Sequence, residues 1–155
     1  MTIAENLAAH GLELPPVPTP VANYVPARRI GDLVFSSGQT PTRDGKLLLA
    51  GKLGRDLSVE QGQEAARLAI LNCLAALEQE LTTLESVDQV IKLTGFVASA
   101  EGFGDQPTVI NGASVLLEQV FGERGKHARS ALGLAELPYG APVEVELIIS
   151  VKPGA

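Results

Sequence analysis

The chain has 155 residues, 45% of them hydrophobic and 19% charged, with a formal net charge of −6, a balance that belongs to a globular protein with one core and not to a disordered or low-complexity chain. Such an acidic chain, with no run of lysine and arginine, lacks the basic field on which binding to phosphate backbones depends, so nucleic acid is a poor candidate partner. A single cysteine, Cys73, excludes an intramolecular disulfide, the two histidines, His10 and His127, form no spaced metal-ligand pattern, and no stretch has the apolar length of a membrane span.

Thr2-Ile3-Ala4-Glu5 has the spacing of a capping box and predicts a short helix stopped by Gly11. No basic region followed by an apolar core precedes it, so the expected compartment is the reducing cytoplasm. Pro15, Pro16, Pro18 and Pro20 forbid both a helix and an interior strand, which makes this stretch an extended surface strap and not a ligand for a proline-recognition domain. Residues 1–20 therefore read as an arm on a single domain spanning 1–155. Tyr24–Ile30 and Leu33–Gln39 flank Gly31-Asp32, the strongest hairpin signal in the chain. Thr42–Lys46 is expected to be a turn, and 47–54 an excursion of undefined form whose Gly51 and Gly54 lack the context of a phosphate loop. Ser58-Val59-Glu60-Gln61 is a second capping box and opens the longest helix, running to about Leu84 with Ile70, Leu74, Leu77 and Leu81 as its apolar stripe. Cys73 lies beside that stripe and reads as a small core residue instead of a nucleophile.

Val87–Ala100 is expected to be a central strand and Ser99–Gly104 a loop. Asp105-Gln106-Pro107 starts the second main helix, which ends in Gly122–Gly125. His127–Leu134 and Val143–Val151 read as two neighbouring strands joined across Pro138-Tyr139-Gly140-Ala141-Pro142. The order β-β-α-β-α-β-β predicts an α+β layer: a mixed sheet with both main helices on one face and the other, partly apolar face hidden against another subunit. Arg129 offers a planar fork suited to a carboxylate or phosphate, and Glu144 and Glu146, two apart on a strand, share a face. Near one sheet end these groups could bind and act on a small amino-acid-like molecule; alternatively, Arg129 pairs with a glutamate for structural reasons.

From about Pro20 to Val151 the chain resembles the Rid/YjgF/L-PSP family of small trimeric proteins with a chorismate-mutase-like fold. The resemblance rests on Tyr24 after the prolines, Val34-Phe35-Ser36-Ser37-Gly38-Gln39, Asn111, Ala128-Arg129-Ser130, Leu137-Pro138 and Val143-Glu144-Val145-Glu146 in the family order. The long arm and the 47–54 excursion suggest a divergent branch. The resemblance implies a homotrimer whose three sheets form a central barrel, with a cleft at each subunit interface. It also implies hydrolysis of enamine and imine acids such as 2-aminoacrylate to 2-oxo acids and ammonia, with no metal or organic cofactor. Carried onto this chain, Arg129 would clamp the substrate carboxylate, Glu144 and the carbonyl near Ala131 would position water, and Tyr24, Ser37 and Asn111 would line the cleft. Two departures stand out: Ala131 where relatives often carry cysteine, and His127 where many carry proline, either an ordinary loop residue or an added proton donor. Taken singly, Tyr24 could be a core filler and Ser37 a turn cap. Competing functions are a non-catalytic trimeric module that binds small carboxylates, and the endoribonuclease or translation-inhibitor activity of the family's older naming, which the acidic composition opposes.

Overall fold

The computed structural model describes residues 1–155. Its helices are α1 (Ile3–Ala9), α2 (Val59–Leu81) and α3 (Gln106–Phe121). Its strands are β1 (Ala27–Ile30), β2 (Leu33–Ser36), β3 (Thr42–Arg43), β4 (Lys46–Leu47), β5 (Val87–Ala98), β6 (Ala128–Leu134) and β7 (Val143–Val151). The period-two pattern of β7 sets the layers: Val143, Val145, Leu147, Ile149 and Val151 are buried, while Glu144, Glu146, Ile148 and Ser150 alternate toward the other face. On the buried face α2 packs over β7, β1 and β2, and α3 over β5 and β6, enclosing a core of 30 buried residues. Leu33, Phe35 and Leu132 remain exposed on the face that carries no helix. The expected α+β layer with both main helices on one side is what forms.

Five strands make one mixed sheet in the order β1-β2-β7-β5-β6, antiparallel except for the parallel pair β5 and β6. Here the expectation that the last two strands are neighbours fails, because β5 lies between β6 and β7. A parallel pair needs a crossover of a dozen or more residues, and α3 supplies it from β5 to β6. The final strand then takes the other side of β5. The turn-forming residues 138–142 mark a chain reversal, but the same chemistry serves a hairpin and a loop that steps over one strand.

Several boundaries also shift. β1 begins at Ala27, since Pro26 has no N–H to give to a ladder. The expected turn at 42–46 is a small hairpin of β3 and β4, with Asp44 and Gly45 at φ 52° and 75°, the positive pair that a tight hairpin turn needs. α2 stops at Leu81 because Thr82 takes a left-handed conformation at φ 70°, and Leu84 begins a separate 3₁₀ turn. Within the 47–54 excursion Leu53 is fully buried; its N–H donates to the Ala98 carbonyl and its own carbonyl accepts from Ala100, each at 2.9 Å. The arm is anchored at its start: both capping-box bonds of Thr2 and Glu5 form, Ile3 and Leu7 are buried, and Asn6 Nδ2 donates to the Val120 carbonyl of α3 at 2.9 Å. No helix is long and apolar enough to cross a membrane.

Candidate functional site

A cleft of about 790 Å³ opens between the proline strap, the segment after β2, the β3-β4 hairpin and the Pro138-Tyr139 turn, with Tyr24 and Glu144 in its wall. Its parts are held by short, specific bonds. Past the end of β2, Gln39 and Val145 exchange N–H to carbonyl bonds of 2.8 and 2.9 Å, extending the sheet by one bridge beside Glu144. From α2, Asn72 Nδ2 donates to the carbonyls of Thr40 and Thr42, both at 2.9 Å, and so fixes the entry to the hairpin. Ser37 Oγ donates to the Val25 carbonyl at 2.5 Å, which fastens the segment carrying Tyr24. Gly51 N–H donates to the Gly140 carbonyl at 2.9 Å and ties the excursion to the turn that presents Tyr139.

Glu144 lies on the face of β7 away from the helices, half-buried. Its carboxylate occupies the space that a Cβ on Gly38 would need, so any side chain there would displace the carboxylate; close approach and not an unusual φ is what glycine provides. Burial pushes the Glu144 carboxyl above its ordinary range, and the neighbouring charge of Glu146 adds to the shift. A carboxylate so tuned is a stronger base toward water than an unshifted one.

Arg129 sits opposite Leu93 on the helix-bearing face of edge strand β6. Its Nη1 donates to Asn111 Oδ1 at 2.8 Å and to Ser114 Oγ at 3.2 Å, and its Nη2 to the Pro107 carbonyl at 3.3 Å. The ion pairs of the chain are Lys52–Glu136, Arg55–Asp56, Arg67–Glu64 and Lys126–Glu123, so the glutamate pairing considered for Arg129 does not occur. Neutral acceptors orient the guanidinium and leave its charge without a partner. Behind Ser114 stands His127: Nε2 is 3.0 Å from Ser114 Oγ, and Nδ1 is 2.6 Å from the Gly125 carbonyl. A carbonyl only accepts, so Nδ1 carries a proton; in the neutral ring the Ser114 hydroxyl then donates to Nε2 and keeps a lone pair for Arg129.

The residues singled out in the sequence therefore fall into two groups. Tyr24 and Glu144 share the cleft, with Ser37 bracing it; Arg129 and Asn111 touch one another at the β6 edge, and Ala131 follows two residues on along the same strand. The placement of Arg129 beside Glu144 and Glu146 at one sheet end is corrected, because β5 separates their strands and they lie on opposite faces. Sequence reasoning missed Asn72, Ser114, Tyr139 and the contribution of the proline strap to the cleft wall. Only the strap and the Pro-Tyr-Gly turn carried a signal, read as surface features. Cys73 is fully buried, and burial pushes its thiol up to about 12, so it is a core residue and no nucleophile.

Residues 4–149 match the family described as "YjgF/chorismate mutase-like, putative endoribonuclease". The chain is 41% identical to protein TCP17 of Trypanosoma cruzi over 151 residues, 97% of this chain and 94% of that one. Among solved structures it is similar to the Agrobacterium tumefaciens protein Atu1372, of unknown function, at 44% identity with a TM-score of 0.89, covering 97% of this chain and 92% of that chain. A Shewanella oneidensis protein called an endoribonuclease candidate superposes with a TM-score of 0.94 at 36% identity, covering 97% of this chain and all of the other.

Proposed function

Because the chain belongs to the YjgF/chorismate mutase-like family, we propose that it hydrolyses enamine and imine acids of the 2-aminoacrylate type to 2-oxo acids and ammonia, in a homotrimer whose clefts are each completed by the next copy of the chain. The observation that carries this reading is the separation of two complementary groups. Arg129 is an arginine fork with no carboxylate partner at a sheet edge, and Glu144 is a carboxyl of raised pKa in a cleft on the opposite face. One chain keeps them apart; two adjoining chains can bring the edge of one to the cleft of the other.

The chemistry asks for little more. An imine carbon is already electrophilic, so a site need only hold the carboxylate, orient a water and move its proton. Arg129 fixes the carboxylate in orientation as well as position. An enamine first takes a proton at its terminal carbon and loses one from nitrogen to become the imine; Glu144 then takes the proton of a water held by a backbone carbonyl near Ala131, the oxygen adds to the C=N carbon, the resulting amino alcohol collapses, and the 2-oxo acid and ammonia leave. Water supplies both the oxygen and the protons that balance the reaction. The same geometry also fits a non-catalytic carboxylate binder. Cleavage of RNA finds less support, since the net charge of −6 opposes approach of a phosphate backbone.

The deciding measurement is ammonia release with 2-aminoacrylate generated in situ by an enzyme that eliminates water from serine and so leaves the amino group in place. The native chain should accelerate it. Arg129→Ala should abolish the acceleration and Arg129→Lys restore little, because an ammonium is a point charge without the fork; a loss of at least roughly thirtyfold in kcat/KM is expected. Full activity in a folded Arg129→Ala variant would refute the assignment. No acceleration by the native chain, with binding of the oxo acid retained, would favour the binding module.

A further inference from the structure

We infer that the cleft selects imino acids with a bulky apolar or aromatic side chain, and that Tyr139, Val17 of the strap and Val21 just after it set this preference. The inference rests on the imine-hydrolysis reading above and narrows its substrate class. Size is the first ground. A three-carbon imino acid has about six heavy atoms and the arginine side chain that the next copy would bring about seven; even at the ~30 Å³ that a water claims in the liquid, the two together fill only about half of a cleft of about 790 Å³. Site volume that the substrate leaves empty contributes no binding, whereas each methylene placed against an apolar wall adds to it.

The wall is the second ground. Pro15, Pro16, Pro18 and Pro138 line it, with Val17 of the arm and Val21 just after it. Proline has no N–H, so this side of the cleft offers few backbone donors that an apolar group would leave stranded, and its fixed φ makes the wall stiff. A stiff wall loses little freedom when a ligand settles against it. The charged pair Arg43 and Asp44 also borders the cleft, but both are exposed at the tip of the β3-β4 hairpin.

Tyr139 is the third ground, and an independent one. It has φ 59°, a left-handed conformation that costs a bulky residue roughly 1–2 kcal/mol, and it is 81% exposed, so packing within the chain does not offset the strain. A glycine would hold the same turn without that cost. The sequence instead has an aromatic residue there, and the two tyrosines of the chain both line this one cavity. Two aromatic residues bordering a cleft with a proline wall are a means of holding an apolar or aromatic side chain.

The test compares imines made in situ from alanine, leucine and phenylalanine by a D-amino acid oxidase, whose planar imine products carry no memory of configuration. We expect kcat/KM for the leucine and phenylalanine imines to exceed that for the alanine imine by at least about tenfold, with the ratio narrowing several-fold in Tyr139→Gly and in Val17→Asp. Tyr139→Gly suits the backbone φ, so a changed ratio cannot be ascribed to a damaged fold. A second readout needs no turnover: the chain has no tryptophan, so its tyrosine fluorescence reports this cleft directly. Titrated with 4-methyl-2-oxopentanoate and with pyruvate, the protein should bind the larger acid at least about tenfold more tightly. Equal handling of small and large imines, or a large-to-small ratio untouched by Tyr139→Gly, overturns the selectivity and leaves the hydrolase reading standing. Should no imine be accelerated, the hydrolase reading falls, and the fluorescence ratio alone decides: a ratio near one, or a preference for pyruvate, overturns the inference.

Discussion

At Gly38 a missing side chain makes room for a neighbouring one. The Glu144 carboxylate lies where a Cβ would stand, so Gly38→Ala should push the carboxyl out of the cleft wall without unfolding a segment that has no unusual φ. The expected result is a native circular dichroism spectrum with kcat lowered at least about tenfold. Glu144→Gln separates chemistry from stability. Because burial raises the folded-state pKa, the folded chain binds this proton more tightly than the unfolded chain does. Its stabilising contribution is complete below the unfolded-state pKa and is lost as pH rises through the raised folded value, leaving a penalty at neutral pH. Glutamine removes that penalty, so Tm at pH 7 should rise by about 1–3 °C while turnover falls by roughly a hundredfold or more. The native activity should fall on the acid side with a midpoint above the ordinary glutamate value of about 4.3, and this limb should vanish in the variant. An unchanged Tm with unchanged activity would mean that the carboxylate is neither strained by burial nor used. Of these details the sequence displayed the residue types but not their neighbours: Glu144 was legible as a strand residue on a shared face with Glu146, whereas its contact with Gly38 arises only when β2 and β7 pair.

At the scale of elements, the two capping boxes and the apolar stripes gave α1, α2 and α3 within a few residues, because those signals are local. Strand order was not legible, since pairing of β7 with both β2 and β5 joins residues more than forty positions apart and no local chemistry records it. The crossing of the two long helices depends on glycines that look like weak points in a helix. Gly112 of α3 faces the backbone carbonyl of Gln63 in α2, while Gly62 of α2 faces only the side-chain ends of Leu53 and Val109. Alanine is worth about 1 kcal/mol more than glycine in a helix interior, but overpacking costs about 1–3 kcal/mol where the neighbour cannot yield. A backbone carbonyl inside α2 cannot yield; a leucine tip can. Gly112→Ala should therefore lower Tm by about 2–8 °C, and Gly62→Ala by clearly less, in parallel thermal melts. Equal effects of the two would mean that the helices slide apart freely and that the close crossing is not a constraint.

The whole molecule presents one sheet face without helices, and its composition matters more than its area. Arg28 and Phe35, Ile148 and Lys92 lie across it in one row, Glu144, Phe96 and Leu132 in another, so apolar groups are interleaved with the carboxylate of the cleft. Phe35 is 42% and Leu132 47% exposed in the isolated chain, and contiguous apolar surface on a sheet face is ordinarily covered by a partner. If three copies cover it mutually, assembly and activity would be one property, because Arg129 of one chain would reach Glu144 of another only in the assembled state. Phe35→Asp tests this. The ring is already half-exposed in the folded chain and is not part of the core, so the single chain should keep its fold and its circular dichroism spectrum, with Tm little changed at low concentration. A carboxylate placed in a desolvated interface without a cation is costly, and several kcal/mol per copy would act against assembly. Light scattering should show a trimer for the native protein and monomers for the variant, and imine hydrolysis should disappear together with the trimer. A monomeric variant that retains full activity would place the whole site within one chain and detach Arg129 from it. A variant that remains assembled and active would show that the copies meet elsewhere and that the apolar rows serve another contact.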